Sequence, residues 1–194
     1  MGLFDILKGQ RPAKRANIDR LFALSTSYLT LSVNLRLPST GRAGVCFKPI
    51  ASGEFEGVIR DMDQLLDIAG RTTGTSVERH EDDYGFVWIV LRDQSFEDLV
   101  TTAHMINQTI EERGFSEQLL CSVFGFEDEE KGQAVDLVYA YKRGTFYPFV
   151  PTGDKKRDNA RELRLKAALE KEMPIEQELE RWYPVWGAPV TPGS

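Results

Sequence analysis

The chain has 194 residues, 41% hydrophobic and 28% charged, which is the composition of a globular protein able to bury its own core. Its net charge of −6 argues against a nucleic-acid binder, since such proteins carry a basic excess. No run approaches the ~20 apolar residues of a membrane-spanning helix. Cys46 and Cys121 lie in apolar, strand-like runs, which predicts buried, reduced thiols in a cytoplasmic protein.

The first sixteen residues combine an apolar tip with a basic neck. The candidate tether residues are Leu3, Phe4, Ile6, Leu7 and Lys8. A segment of this composition can contact an anionic membrane or a partner protein, and it can equally be a frayed end that docks on the domain. We expect residues 1–16 to form a flexible amphipathic and basic segment.

The next stretch predicts a helix, a hairpin and a second helix. Asn17 is a plausible cap for a short helix. Residues 28–37 alternate apolar with polar side chains, which predicts a strand with one solvated face. A turn at 38–41 leads to a return strand over 44–50. Apolar residues then recur every three or four positions over 55–69 and predict an amphipathic helix.

A second hairpin and helix follow. Residues 77–81 and 84–92 predict two strands, and the second is apolar on both faces, so we expect it to be central in the sheet. Ser95 is a predicted N-cap for the next helix, which Gly114 ends.

The last part of the chain repeats this order. Residues 119–126 and 133–142 predict two strands around an acidic turn, and 145–150 continues as extended chain. A charged helix is predicted over 157–172. Pro174 is expected to open one more short helix.

Three strand–strand–helix units therefore succeed one another, over residues 28–69, 75–113 and 118–171. They predict an α+β fold with an antiparallel or mixed sheet, helices mainly on one face, and a C-terminal helical appendage. We expect a core domain at 17–150, with residues 151–194 forming C-terminal helices and an aromatic, proline-rich tail packed on that core.

Aromatic residues are concentrated in two stretches, 139–151 and 182–189. They are interpreted either as core or as a binding surface, because large aromatic side chains serve both. The candidate partner-contact residues are Arg143, Phe146, Tyr147, Phe149, Trp182 and Trp186. The tail either binds a partner or folds back, and folding back would place Trp182 or Trp186 near Tyr147 and Phe149.

The sequence predicts no catalytic residues, no cofactor and no metal site, and hence a protein that is not an enzyme. Only His80 and His104 are available as imidazole bases, and none of the common catalytic motifs is present. His80 stands alone among acidic residues, which is typical of solvated surface. The polar loop at 71–76 lacks the lysine of a nucleotide-binding loop.

Five short stretches carry a resemblance to a known family. They are residues 142–149, the helix start at 157–160, the ending at 182–189, the strand start at 119–122, and residues 1–5. Together they resemble the PspA-associated protein PspAB family, nearly from end to end.

This resemblance implies an accessory or regulatory protein of a PspA-type envelope-stress (phage shock) response that acts by protein–protein contact. The implied partner is PspA, a coiled-coil protein that coats and remodels stressed membranes, with the HtpX protease system as a further candidate. The implied location is the cytoplasm, including peripheral contact at the inner face of the membrane. The residues alone leave two alternatives open: a small-molecule or peptide binding domain that uses His80 or His104, and a secretion-chaperone-like module.

Overall fold

The computed structural model describes residues 17–190, and the first element in it is a helix that changes its pitch twice. A 3-10 turn at Asp19–Phe22 leads into α1 (Ala23–Leu29), and a π-helical turn at Thr30–Asn34 completes what we call the N-terminal helix. Its buried residues follow the three- and four-residue spacing of a helix and are Leu21, Leu24, Ser27 and Leu31.

The strand predicted over residues 28–37 is therefore wrong. A strand would place Leu29 and Leu31 on the same face, whereas Leu29 is exposed and Leu31 is buried. The hydroxyl groups of Ser27 and Ser32 each donate to the backbone carbonyl four residues earlier. Ser32, one of the polar side chains that suggested a solvated strand face, thus finds its acceptor within the helix itself.

Six strands form one antiparallel sheet, which confirms the predicted α+β class. They are β1 (Ser39–Phe47), β2 (Ser76–Glu81), β3 (Val87–Arg92), β4 (Leu119–Asp128), β5 (Gln133–Ala140) and β6 (Thr145–Phe149). Their order across the sheet is β2-β3-β1-β4-β5-β6, so that β1 and β4 are the central pair. We expected β3 to be central in the sheet; it pairs with a strand on each side, β1 and β2, and lies next to the edge strand β2.

Two long helices join the N-terminal helix on one face of the sheet. α2 (Gly53–Thr73) begins at Ser52 and α3 (Phe96–Glu112) begins at Ser95, and each serine side chain accepts a backbone N–H from the first turn. Phe47 of β1 contacts Phe55 of α2 at a ring distance of 5.9 Å, which marks the helix side of the sheet.

The chain near its C-terminal end covers the opposite face. Side chains alternate along a strand, so Gly44 and Cys46 of β1 point away from α2. A side chain added at Gly44 would lie only 2.8 Å from Cγ2 of Val190. Val190 is fully buried, and the sheet is therefore a layer between the helices and the tail.

A short ribbon and a fourth helix lead to this tail. β7 (Pro151–Gly153) pairs with β8 (Lys156–Arg157), and α4 (Asn159–Leu169) follows beside β6. The short helix predicted to open at Pro174 is wrong, because residues 174–176 are extended.

This extended segment lies along the outer edge of β6. Phe146 donates its N–H to the carbonyl of Pro174, and Glu176 donates its N–H to the carbonyl of Phe146, both at 2.8 Å. Ile175 and Phe146 form a parallel bridge. Pairing the backbone groups of an edge strand outweighs the local preference of Pro174 for a helix start.

Candidate interaction surface

The tail is fixed to the sheet by two aromatic contacts. The rings of Trp182 and Tyr147 stack at 6.0 Å, and the rings of Trp186 and Phe149 meet edge to face at 4.8 Å. The hydroxyl of Tyr147 donates to the carbonyl of Tyr183 at 2.9 Å. The prediction that Trp182 or Trp186 docks near Tyr147 and Phe149 is confirmed.

A buried ion pair strengthens the same junction. The guanidinium of Arg157 donates to the Glu162 carboxylate at 2.8 Å and to the carbonyl of Trp182 at 2.8 Å, and it lies 5.0 Å from the ring centroid of Phe149. Glu162 also accepts the N–H of Val150 at 2.9 Å. Burial raises the pKa of the Glu162 carboxyl, although Arg157 and the Val150 N–H oppose the shift.

Most of the candidate partner-contact residues belong to this junction and are covered. Four of them are buried, which agrees with the interpretation of these side chains as core: Phe146, Tyr147, Phe149 and Trp182. Trp186 is half-buried, and Arg143 is exposed with its Nε 3.8 Å from the Glu176 carboxylate.

Partner contact by the six candidate residues stays a prediction, and only Arg143 and Trp186 offer side-chain surface for it. The candidate tether residues Leu3, Phe4, Ile6, Leu7 and Lys8 lie outside the described residues.

The N-terminal helix exposes an apolar stripe that our sequence analysis missed. It consists of Phe22, Thr26, Leu29 and Val33, which we call the N-terminal stripe. The exposed fractions are 39% for Phe22, 72% for Leu29 and 62% for Val33. Phe22, Leu29 and Val33 are apolar and Thr26 lies between them, which makes this helix face a candidate interaction site, because a folded protein gains nothing by leaving apolar side chains in water.

Contacts near both ends of the N-terminal helix fix its orientation, with the stripe facing solvent. The His104 ring of α3 packs 4.6 Å from the Phe22 ring, and its Nε2 lies 3.3 Å from the Asp19 carboxylate. Thr30 donates its hydroxyl to Glu172, beyond the end of α4, at 3.0 Å. The helix is thus anchored near both ends while its outer face carries the stripe.

A period of three and four residues could have revealed this surface. Leu21, Leu24 and Leu31 mark the buried side of a helix, and Leu29 and Val33 then fall on the opposite side. The alternation that we took for a strand assigned the last two residues to the buried face instead.

The two histidines do not share a site. His104 contacts the N-terminal helix as described, and His80 of β2 lies at the rim of an open cleft of about 700 Å³ between α2 and the edge of the sheet. The lining of this cleft combines apolar residues, such as Phe47 and Ile59, with charged residues, such as Arg60. Within residues 17–190, no three His, Cys, Asp or Glu side chains are grouped so that they could hold a metal ion.

No helix in the described part of the chain combines the length and the apolar character needed to cross a bilayer.

In a comparison with known families, the model of PspAB, described as PspA associated protein B, matches residues 1–190. No protein with curated annotation matched the chain. The family match spans the N-terminal helix, the whole sheet and the tail.

Proposed function

We propose, from the premise that this chain belongs to the PspAB family, PspA associated protein B, that it is a non-enzymatic accessory protein of a PspA-type envelope-stress response. It acts by direct contact with PspA. The family name indicates the association, and the exposed N-terminal stripe is the observation that supports a contact of this kind.

The geometry of the stripe favours a helix as its counterpart. Phe22, Thr26, Leu29 and Val33 are separated by four, three and four residues. This is the spacing with which one helix packs along another, because it keeps the same side chains facing the partner. The coiled coil that the resemblance implies for PspA offers such a helix.

Charged residues at the two ends of the stripe suit the rim of an interface. Asp19 is exposed at one end, and Arg36, which pairs with Glu130 at 2.7 Å, is exposed at the other. An apolar centre with a charged, solvated rim is the usual anatomy of a non-obligate protein contact. Peripheral location at the inner face of the membrane would then follow from PspA, which the resemblance describes as a membrane-coating protein.

The test is a binding measurement between the full-length chain and purified PspA by biolayer interferometry. The double variant Leu29→Ser, Val33→Ser should bind at least about tenfold more weakly, since each large aliphatic side chain buried is worth roughly 1.5–3 kcal/mol. Both residues are exposed, so the thermal midpoint should stay close to that of the unsubstituted chain.

A matched control is Ile68→Ser on α2, where the side chain is 63% exposed, close to the 62% of Val33. This variant should retain the full affinity. Equal affinity of the stripe variant and the unsubstituted chain would exclude the stripe as the contact. Absence of binding by the unsubstituted chain itself would exclude direct association.

A further inference from the structure

The two cysteines of the chain face each other across the central strands of the sheet. Cys46 of β1 and Cys121 of β4 are directly opposite in the antiparallel register. Opposed residues in such a pair have Cα atoms about 4.5 or 5.5 Å apart, and their side chains leave the sheet on the same face. Both distances lie within the roughly 4.4–6.8 Å that separates the Cα atoms of a disulfide, so the register brings the two cysteines within bonding range. The pairing of β1 with β4 is irregular immediately after this pair, between Cys46 and Phe47.

The two thiols differ in their access to solvent. Cys46 is only 3% exposed and lies beside Trp88 of β3, its opposite residue on the other side. Cys121 is half-buried, so the expectation that both thiols are buried is right for Cys46 and wrong for Cys121. The next residue across the sheet from Cys121 is the small Ala140, which covers little of the neighbouring surface.

The neighbouring Cys121 side chain also affects the acidity of Cys46. Together with burial, it raises the pKa of the Cys46 thiol, which keeps that thiol protonated. A neutral, shielded thiol lies next to a partner that solvent can reach. This is the arrangement of a resolving cysteine beside an oxidisable one.

We propose that Cys46 and Cys121 form a redox modification site, at which an oxidant of the hydroperoxide class produces a reversible intramolecular disulfide. The Cys121 thiolate attacks the distal peroxide oxygen, the O–O bond breaks, and the products are the Cys121 sulfenic acid and an alcohol or water. The Cys46 thiol then displaces water from the sulfenic sulfur, giving the Cys46–Cys121 bond.

Atoms and electrons balance in this reaction. The protein loses two hydrogen atoms, and the two electrons released reduce the peroxide, whose oxygens leave as water and as alcohol or a second water. A dithiol reductant reverses the reaction by thiol–disulfide exchange and is itself oxidised to a disulfide. The site lies on the tail side of the sheet, away from the N-terminal stripe, and does not depend on the proposed function.

The bond would close a loop that contains α2, β2, β3 and α3. A crosslink across such a long loop restricts the unfolded chain more than the folded one, because the two strands are already neighbours in the native sheet. The oxidised protein should therefore unfold at a higher urea concentration than the reduced protein.

The experiment treats the native, full-length chain with hydrogen peroxide, alkylates the remaining thiols and measures the intact mass. The expected product is a monomer lighter by two hydrogen atoms that takes up no alkylating reagent until dithiothreitol is added. In Cys46→Ala, oxidation should stop at the Cys121 sulfenic acid, which dimedone captures. In Cys121→Ala, Cys46 should stay reduced.

Three results on the unsubstituted chain would overturn the proposal, whatever the folding of the variants. The first is a dimedone-reactive Cys121 that accumulates without a disulfide. The second is crosslinking only between molecules. The third is complete alkylation of both thiols after peroxide treatment.

Discussion

At the scale of single residues, Arg157 and Glu162 show how a buried charge is kept. Glu162 is almost fully covered, and its carboxylate accepts from both Arg157 and the N–H of Val150. Arg157 extends the same group of contacts to the carbonyl of Trp182. The pair therefore connects three parts of the chain: the segment before α4, α4 itself and the tail.

We expect Arg157→Ala to lower the free energy of unfolding by about 3–5 kcal/mol near neutral pH, because it leaves the Glu162 carboxylate buried without its cation. Urea denaturation followed by circular dichroism measures this loss. The control is Arg71→Ala, which removes an exposed ion pair with Asp67 and should cost less than about 0.5 kcal/mol. Equal losses of unfolding free energy in the two variants would contradict the inference that the buried Arg157–Glu162 pair stabilises the fold.

The loss in Arg157→Ala should also depend on pH in a definite direction. A carboxyl whose pKa is higher in the folded than in the unfolded chain makes the protein less stable as pH rises between the two values. Removing Arg157 raises the folded pKa of Glu162 further above its ordinary 4.5. The deficit of the variant should therefore shrink when the titration is repeated at about pH 5, and a deficit that grows there would contradict this assignment.

At the scale of elements, the features predicted correctly are those that depend on residues close together in the sequence. The cap at Ser95 and the doubly apolar strand β3 depend on residues close in sequence, and both were predicted. A short helix after Asn17 was predicted, but its continuation over residues 28–34 was missed because Leu31 fits an alternating and a helical period equally well. Residues 174–176 were missed because their partner, Phe146, is distant in sequence.

The same error accounts for the missed interaction surface. Once residues 28–37 were interpreted as a strand, Leu29 and Val33 were expected to face the core, and no apolar face remained to be explained. The aromatic residues of β6 and the tail were recognised as important from their composition alone. Their burial could not be decided, since aromatic side chains are enriched in cores and interfaces alike.

The tail should be an energetically integral element. Trp182→Ala removes a buried indole that stacks on Tyr147 and should cost about 3–5 kcal/mol in unfolding free energy. The adjacent Tyr183→Ala removes an exposed ring and should change stability by less than about 0.5 kcal/mol. A thermal midpoint of Trp182→Ala equal to that of Tyr183→Ala would show that the tail contributes nothing to the fold.

At the scale of the whole molecule, the two proposed sites lie on opposite faces of the sheet. The helix side presents the N-terminal stripe and, through it, the proposed contact with PspA. The tail side holds the thiol pair, in which Cys46 is buried and Cys121 is half-buried. Because the layers are separated by the sheet, substitutions in the stripe should leave peroxide oxidation of Cys46 and Cys121 unchanged, and intact mass after peroxide treatment of the Leu29→Ser, Val33→Ser protein measures this. A stripe variant that fails to form the bond would show that the two faces are coupled.

The two outer strands of the sheet differ in how they resist aggregation. β2 is largely exposed, and its charged residues Glu78, Arg79 and Glu81 discourage a second strand from pairing with it. β6 is apolar and relies on residues 174–176 as a cover. A chain truncated before Pro174 would present an apolar strand with open hydrogen-bonding groups, and light scattering should detect aggregates that the full-length protein does not form. We therefore expect residues 174–176 to keep the protein soluble by preventing β6 from pairing with strands of other molecules.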